Sequence, residues 1–169
     1  VGLSQVHYLK DHFIEARALL FESLKILKEV GAEAHSGIVY INLGEIETDM
    51  GLLEEAEQHL NEGLKVSEQT GSFRVKAGIQ QAMGRLYLRQ RRWSEGKTLL
   101  DTALEAYVAS NEISEMGKTY CGLAEYHFET NEPSLGRAAL KRAEELAAQT
   151  GTTTHSELGR RISALEKFL

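Results

Sequence analysis

Residues 53–64 read LEEAEQHLNEGL, and forty positions later residues 93–104 read WSEGKTLLDTAL. Laid over one another, the two segments share a large apolar residue at the first position, a small residue at the fourth, leucine at the eighth and a small residue at the eleventh. The frame extends to 13–24 (FIEARALLFESL) and to 133–144 (PSLGRAALKRAE). One small column therefore reads Ala16, Ala56, Gly96 and Gly136, followed four residues on by Leu20, Leu60, Leu100 and Leu140. A second reads Ser23, Gly63, Ala103 and Ala143. A third, upstream, reads Gly44, Gly84 and Ala124, each preceded by an apolar residue (Leu43, Met83, Leu123). Columns that hold register without a gap mark an internal repeat, and a repeat decides the architecture.

Within each repeat the apolar residues recur at three- and four-residue steps, as in Leu53, Ala56, Leu60 and Leu64, which is the period of a helix with one buried stripe. Gly31, Gly71, Asn111 and Gly151 fall where such helices should stop, and these residue types accept the left-handed conformation a helix end needs. Pro133, the only proline, sits where a helix starts and its missing N–H costs nothing. The pattern predicts helices at 2–9, 11–30, 34–50, 53–70, 74–90, 93–110, 114–130, 133–150 and 155–168. The expected fold is all-α: an α-solenoid of stacked antiparallel helical hairpins. It would form one domain over 1–169, with a truncated first repeat at 1–30, full repeats at 31–70, 71–110 and 111–150, and a capping helix in 151–169. The small columns let paired helices approach, and the leucine four residues on fills the space beside them.

These residues resemble the tetratricopeptide repeat family. Met83-Gly84-Arg85-Leu86-Tyr87 is similar to the family's Leu-Gly-x-x-Tyr first-helix core, and Ala16-x-x-x-Leu20 with its copies is similar to the second-helix core. Phe13, Leu53 and Trp93 hold the large position that opens the second helix. The period is longer than the family's usual ~34 residues, and glycine or asparagine replaces the terminal proline. Longer repeats of this kind are similar to those of bacterial transcriptional regulators, peptide-sensing regulators and cell-polarity scaffolds. The resemblance implies a right-handed superhelix whose first helices line a concave groove. It places Asn42, Glu45 and Asp49, then Gln81, Arg85 and Arg89, then Lys118, Cys121, Glu125 and Glu129 along that groove. Glu45, Arg85 and Glu125 would form one row across the stack, and Asp49, Arg89 and Glu129 another. Each row is either an inter-repeat ion-pair ladder or a source of arginines for a partner's carboxylate, with Asn42 and Gln81 bonding a peptide backbone. Leu3, Ser4 and Val6 align with Leu43, Gly44 and Ile46, which predicts a piece of a longer polypeptide beginning inside a first helix. Glu157, Arg160, Arg161, Glu166 and Lys167 suggest a polar outer face on the last helix, suited to an exposed stack end.

Composition narrows the function. Apolar residues make up 42% and charged residues 26%, as in an ordinary globular chain. One cysteine, Cys121, excludes an internal disulfide and suggests a reducing compartment. No apolar run nears the roughly 20 residues a membrane span needs, and no secretory leader is visible, so a cytoplasmic location is expected. The net charge of -6 argues against nucleic acid. Charge is uneven: residues 31–70 hold nine acids and one base, residues 71–110 three acids and seven bases. Complementary pairing between adjacent repeats, or toward a charged partner, accounts for this better than a phosphate-binding patch built from Arg85, Arg89, Arg91 and Arg92.

Gly96-Lys97-Thr98 and Gly117-Lys118-Thr119 mimic the end of a phosphate-binding loop, but Arg91 and Glu112 stand where that loop requires its first glycine. The histidines His7, His12, His35, His59, His127 and His155 are scattered singly, so no metal site is expected. His59 shares a column with Leu19, Leu99 and Ala139 and is read as a packing residue with a satisfied ring. Cys121 is read as a small buried hydrophobe, and Tyr40, Tyr87, Tyr120, Tyr126 and Phe128 as core and groove lining. No acid, base and nucleophile are held in an active-site constellation, and no cofactor is expected. The expected function is protein or peptide binding, with a ligand-sensing regulator as the alternative and self-association through exposed repeat ends as a third reading.

Overall fold

In the computed structural model, residues 3–154 and 156–168 are described; for 3–11 and 167 the description covers the backbone alone. Eight α-helices follow one another among these residues, with no strand: α1 (Leu3–Glu29), α2 (Gly37–Met50), α3 (Leu53–Thr70), α4 (Phe73–Arg89), α5 (Trp93–Ser110), α6 (Ile113–Glu129), α7 (Pro133–Gln149) and α8 (Glu157–Leu165). Three hairpins, α2/α3, α4/α5 and α6/α7, stack in chain order, each packing chiefly on its neighbours. This is the all-helical repeat stack the forty-residue columns predict.

The columns owe their composition to close approach. A Cβ added at Gly96 would lie 2.9 Å from the Gly84 carbonyl oxygen, and one at Gly44 would lie 2.4 Å from Leu60. The leucine column is fully buried in all three hairpins, at Leu60, Leu100 and Leu140. Leu100 fits against Gly84 of its own hairpin and Gly122 of the next, so one side chain fills space in both. Between repeats the chain turns through Gly31, Gly71, Asn111 and Gly151, all at positive φ. Within hairpins it turns through Gly51, Arg91 and Asn131, also at positive φ. Pro133 lies in the first turn of α7, as expected.

The first repeat differs from expectation. Two helices at 2–9 and 11–30 are replaced by one continuous helix, α1. Asp11 occupies the column of Gly51, Arg91 and Asn131, and it stays helical. Continuing the helix keeps the backbone hydrogen bonds that a turn at Asp11 would break. None of residues 12–29 is buried, and Ile14, Leu19, Phe21 and Ile26 are exposed. The alignment of Leu3, Ser4 and Val6 concerns side chains outside the described residues.

Candidate functional site

Successive first helices approach one another more closely than successive second helices do, so the stack is concave on the side of α2, α4 and α6. That side encloses a cleft of about 960 Å³, within the range of ligand-binding pockets. α2 contributes Glu45, Ile46 and Asp49; α4 contributes Arg85, Leu88 and Arg89; α6 contributes Cys121, Gly122, Glu125 and Glu129. α1 borders it with His12, Phe13 and Ala16, and α8 and its extension with Glu157, Arg160, Arg161, Ala164, Leu165 and Phe168. Arg91 and Trp93, at the α4–α5 turn, complete the wall. Apolar and charged lining residues thus come from every hairpin and from α8, and no single repeat could form the site.

A charge network crosses the cleft. Arg161 Nη2 donates to Glu45 Oε1 at 2.6 Å and also to Glu157. Arg85 Nη2 donates to Asp49 Oδ1 at 2.9 Å, and its Nη1 lies 3.8 Å from Glu45. Lys118 binds Glu115 at 2.8 Å and Glu157 at 3.2 Å. Burial alone would lower the Arg161 pKa, but Glu45 and Glu157 overcome it and hold the guanidinium above its usual value. Burial would likewise raise Glu157, and Arg161 and Lys118 reverse that, leaving it below the usual carboxylate range. Two donors in the network, Arg85 Nη1 and Arg161 Nη1, are shut off from solvent and have no hydrogen-bond acceptor.

Of the residues expected in the groove, Glu45, Asp49, Arg85, Arg89, Cys121, Glu125 and Glu129 do line the cleft. Three do not. Asn42 is exposed on α2, outside the cleft. Gln81 is buried, and its amide donates to Thr119 Oγ1 at 2.6 Å and to the Glu115 carbonyl, so it ties α4 to α6 and is not open to a peptide. Lys118 is drawn away by Glu115 and Glu157. The two expected rows are also incomplete. Arg85 pairs only with α2, and Arg89, Glu125 and Glu129 have no ion-pair partner among the described residues.

The expected outer face of the last helix is corrected as well. Glu157 and Arg161 turn into the cleft, where Arg161 keeps 13% of its side-chain exposure. A helix that buries Leu158, Ile162 and Leu165 on α6 and α7 presents its neighbouring face to the groove. The aromatic lining is Phe13, Trp93 and Phe168, whereas Tyr40, Tyr87, Tyr120, Tyr126 and Phe128 pack between helices. The run of four arginines is dispersed: Arg92 binds Glu57 and Glu95 and lies over the Tyr87 ring. Its bond to Glu57, with that of Arg85 to Asp49, gives the complementary pairing between adjacent repeats that their charges predict.

Sequence reading overlooked Glu47. This carboxylate is 0% exposed and accepts from Arg17 Nε at 2.7 Å while meeting His59 Nδ1 at 2.7 Å. His59 stacks on Tyr40 and meets the edge of Phe21, so it is a packing residue with a satisfied ring. Three helices, α1, α2 and α3, meet on that one carboxylate. Among the described residues no group of His, Cys, Asp and Glu could hold a metal ion, and no helix is long and apolar enough to cross a membrane. Comparisons with family models, with curated proteins and with solved structures found no match for this chain.

Proposed function

We propose that the chain is an interaction module that binds a peptide or a segment of another protein in its concave cleft, and that it is built on the tetratricopeptide plan its columns resemble. The observation that carries this reading is the cleft itself. Its walls come from three successive first helices plus α8, its lining mixes apolar and charged side chains, and the charges are only partly neutralised from within. Binding fits better than catalysis: the cleft's charged groups engage one another as ion pairs or stand apart, and none is arranged as nucleophile, base and orienting group. The single cysteine suits a reducing compartment such as the cytoplasm.

A second reading, a ligand-sensing regulatory domain, is favoured by one contact. Arg161 of α8 reaches Glu45 of α2 across the cleft, so a ligand seated between them would alter how the two ends of the stack are held.

A peptide-display screen tests the groove. Ala164 is exposed and lines the cleft, so Ala164→Trp narrows it without changing charge. Thr102 is exposed on α5, away from the cleft, and Thr102→Trp serves as control. Peptides enriched on the native chain should be lost on Ala164→Trp and kept on Thr102→Trp. Enrichment that survives in both variants, or none on the folded protein, would overturn the assignment.

A further inference from the structure

Among the described residues, four charged side chains on the cleft wall have no ion-pair or hydrogen-bond partner. Arg89 at the end of α4 and Arg91 in the turn after it supply two cations, and Glu125 and Glu129 on α6 supply two anions. Glu45, Asp49, Arg85, Glu157 and Arg161 are by contrast already paired with one another. Arg89 and Glu129 are forty positions apart, at the same place in successive repeats, yet they do not meet. The unpaired cations thus lie at the end of α4 and in the turn after it, the unpaired anions on the neighbouring first helix α6, and all four line the same cleft.

The remaining wall argues for the kind of ligand that would satisfy them. The lining carries five arginines and five carboxylates, so the cleft as a whole has no excess of either sign. A uniformly acidic ligand, a nucleic-acid phosphate chain included, would gain Arg89 and Arg91 but meet Asp49, Glu125 and Glu129 as like charges. A uniformly basic one would meet the reverse.

We propose that the cleft takes an extended peptide segment of mixed charge, with an acidic side chain on Arg89 and Arg91 and a basic one on Glu125 and Glu129. Packed helices lie ~8–10 Å apart and an extended chain advances ~3.3 Å per residue, so the two charges should be about three residues apart. Apolar residues between them face Trp93. The inference rests on the reading of the cleft as a peptide groove and adds the chemistry of the peptide.

The protein's single tryptophan, Trp93, lies in the cleft wall, so its emission reports occupancy directly. Short tryptophan-free peptides with a Leu-Leu centre supply four probes: acid before base, base before acid, both acidic, both basic. They are titrated against the native chain, Arg89→Glu, Glu129→Lys and the double swap, all four checked for unchanged helicity. One mixed-charge peptide should bind best to the native chain, lose about tenfold (~1.4 kcal/mol) in affinity on either single variant, and be replaced on the double swap by the peptide of opposite order. An all-acidic or all-basic peptide binding best, or affinities indifferent to the swaps, would overturn the mixed-charge inference and leave the groove reading standing. No Trp93 response to any probe, with the native chain folded, would overturn both.

Discussion

Arg161 Nη2 lies 2.6 Å from Glu45 Oε1, joining α8 to α2 through residues 116 positions apart in the chain. Both side chains are largely buried, at 13% and 14% exposure. Removing one member of a buried ion pair strands the other, which costs more than the pair contributes. Arg161→Met leaves Glu45 only the 3.8 Å contact with Arg85 and Glu157 only its bond to Lys118, so it should destabilise the chain by about 3 kcal/mol. Glu45→Gln should cost less, because Arg85 keeps Asp49 and Arg161 keeps Glu157. Urea unfolding of both single variants and the double tests this: the double should fall short of the sum of the singles. Strict additivity would show that the pair is not coupled.

Glu47 decides how α1 is held. No residue of α1 from position 12 onward is buried, and α1 packs chiefly on α2. The fixed polar contact is Arg17 to Glu47, with His59 sharing the same carboxylate. Glu47→Ala should cost about 3 kcal/mol or more, since it leaves a guanidinium and an imidazole without their acceptor. The loss should be local. Hydrogen exchange should rise along 12–29 first, while α4 to α7 keep their protection. Uniform loss of protection would show that α1 is cooperative with the whole stack.

How far these features were legible in the sequence depends on whether they repeat. The glycine, alanine and leucine columns recur because every hairpin solves the same packing problem, and the positive-φ glycines recur because every helix must stop. Glu47 shares its column with Tyr87 and His127, so nothing in the periodicity sets it apart as a buried acid. Arg161 belongs to α8, which lies outside the repeat and has no column at all. Gln81 was misplaced although the signal was present: its column holds Ile41 and Cys121, both inward-facing residue types. Asp11 shows the limit of column reasoning in the other direction. Alignment predicts a turn there, yet Asp11 continues the helix while Arg91 and Asn131 take positive φ at the same column, so the residue in the column does not by itself set the conformation.

Gly96 and Gly122 make a pair of opposite sign. A Cβ at Gly96 would meet the Gly84 carbonyl oxygen at 2.9 Å and Leu88 Cδ2 at 2.8 Å; the first is backbone and cannot step aside. Overpacking of this kind costs about 1–3 kcal/mol, against about 1 kcal/mol gained in helix propensity over glycine. Gly96→Ala should therefore destabilise by about 1 kcal/mol. At Gly122 the nearest atoms are the Leu100 methyl groups at 3.1 Å, which can shift by the few tenths of an ångström required. There the propensity gain should balance or exceed the cost, leaving Gly122→Ala neutral to slightly stabilising. Unfolding midpoints for the two variants, measured side by side, check the order; equal effects would mean that backbone proximity is not what limits the column.

Cys121 lines the cleft and is nevertheless 3% exposed, and burial pushes its thiol up to about 12. The thiolate is the reacting form, so the native chain should resist a thiol reagent at pH 8. Labelling should then proceed only through opening, and its rate should rise with urea in step with unfolding. The same shift makes stability depend on pH at the alkaline end. Below the ordinary thiol value of about 9 both folded and unfolded chains keep the proton, and the contribution is complete. Between that value and about 12 the unfolded chain releases its proton while the folded chain retains it, so stability falls as pH rises. Cys121→Ala should flatten that part of the profile. Rapid labelling of the native chain at pH 8, with no dependence on urea, would show that the cleft opens to bring Cys121 to solvent without unfolding, and the thiol would then report groove motion instead of stability.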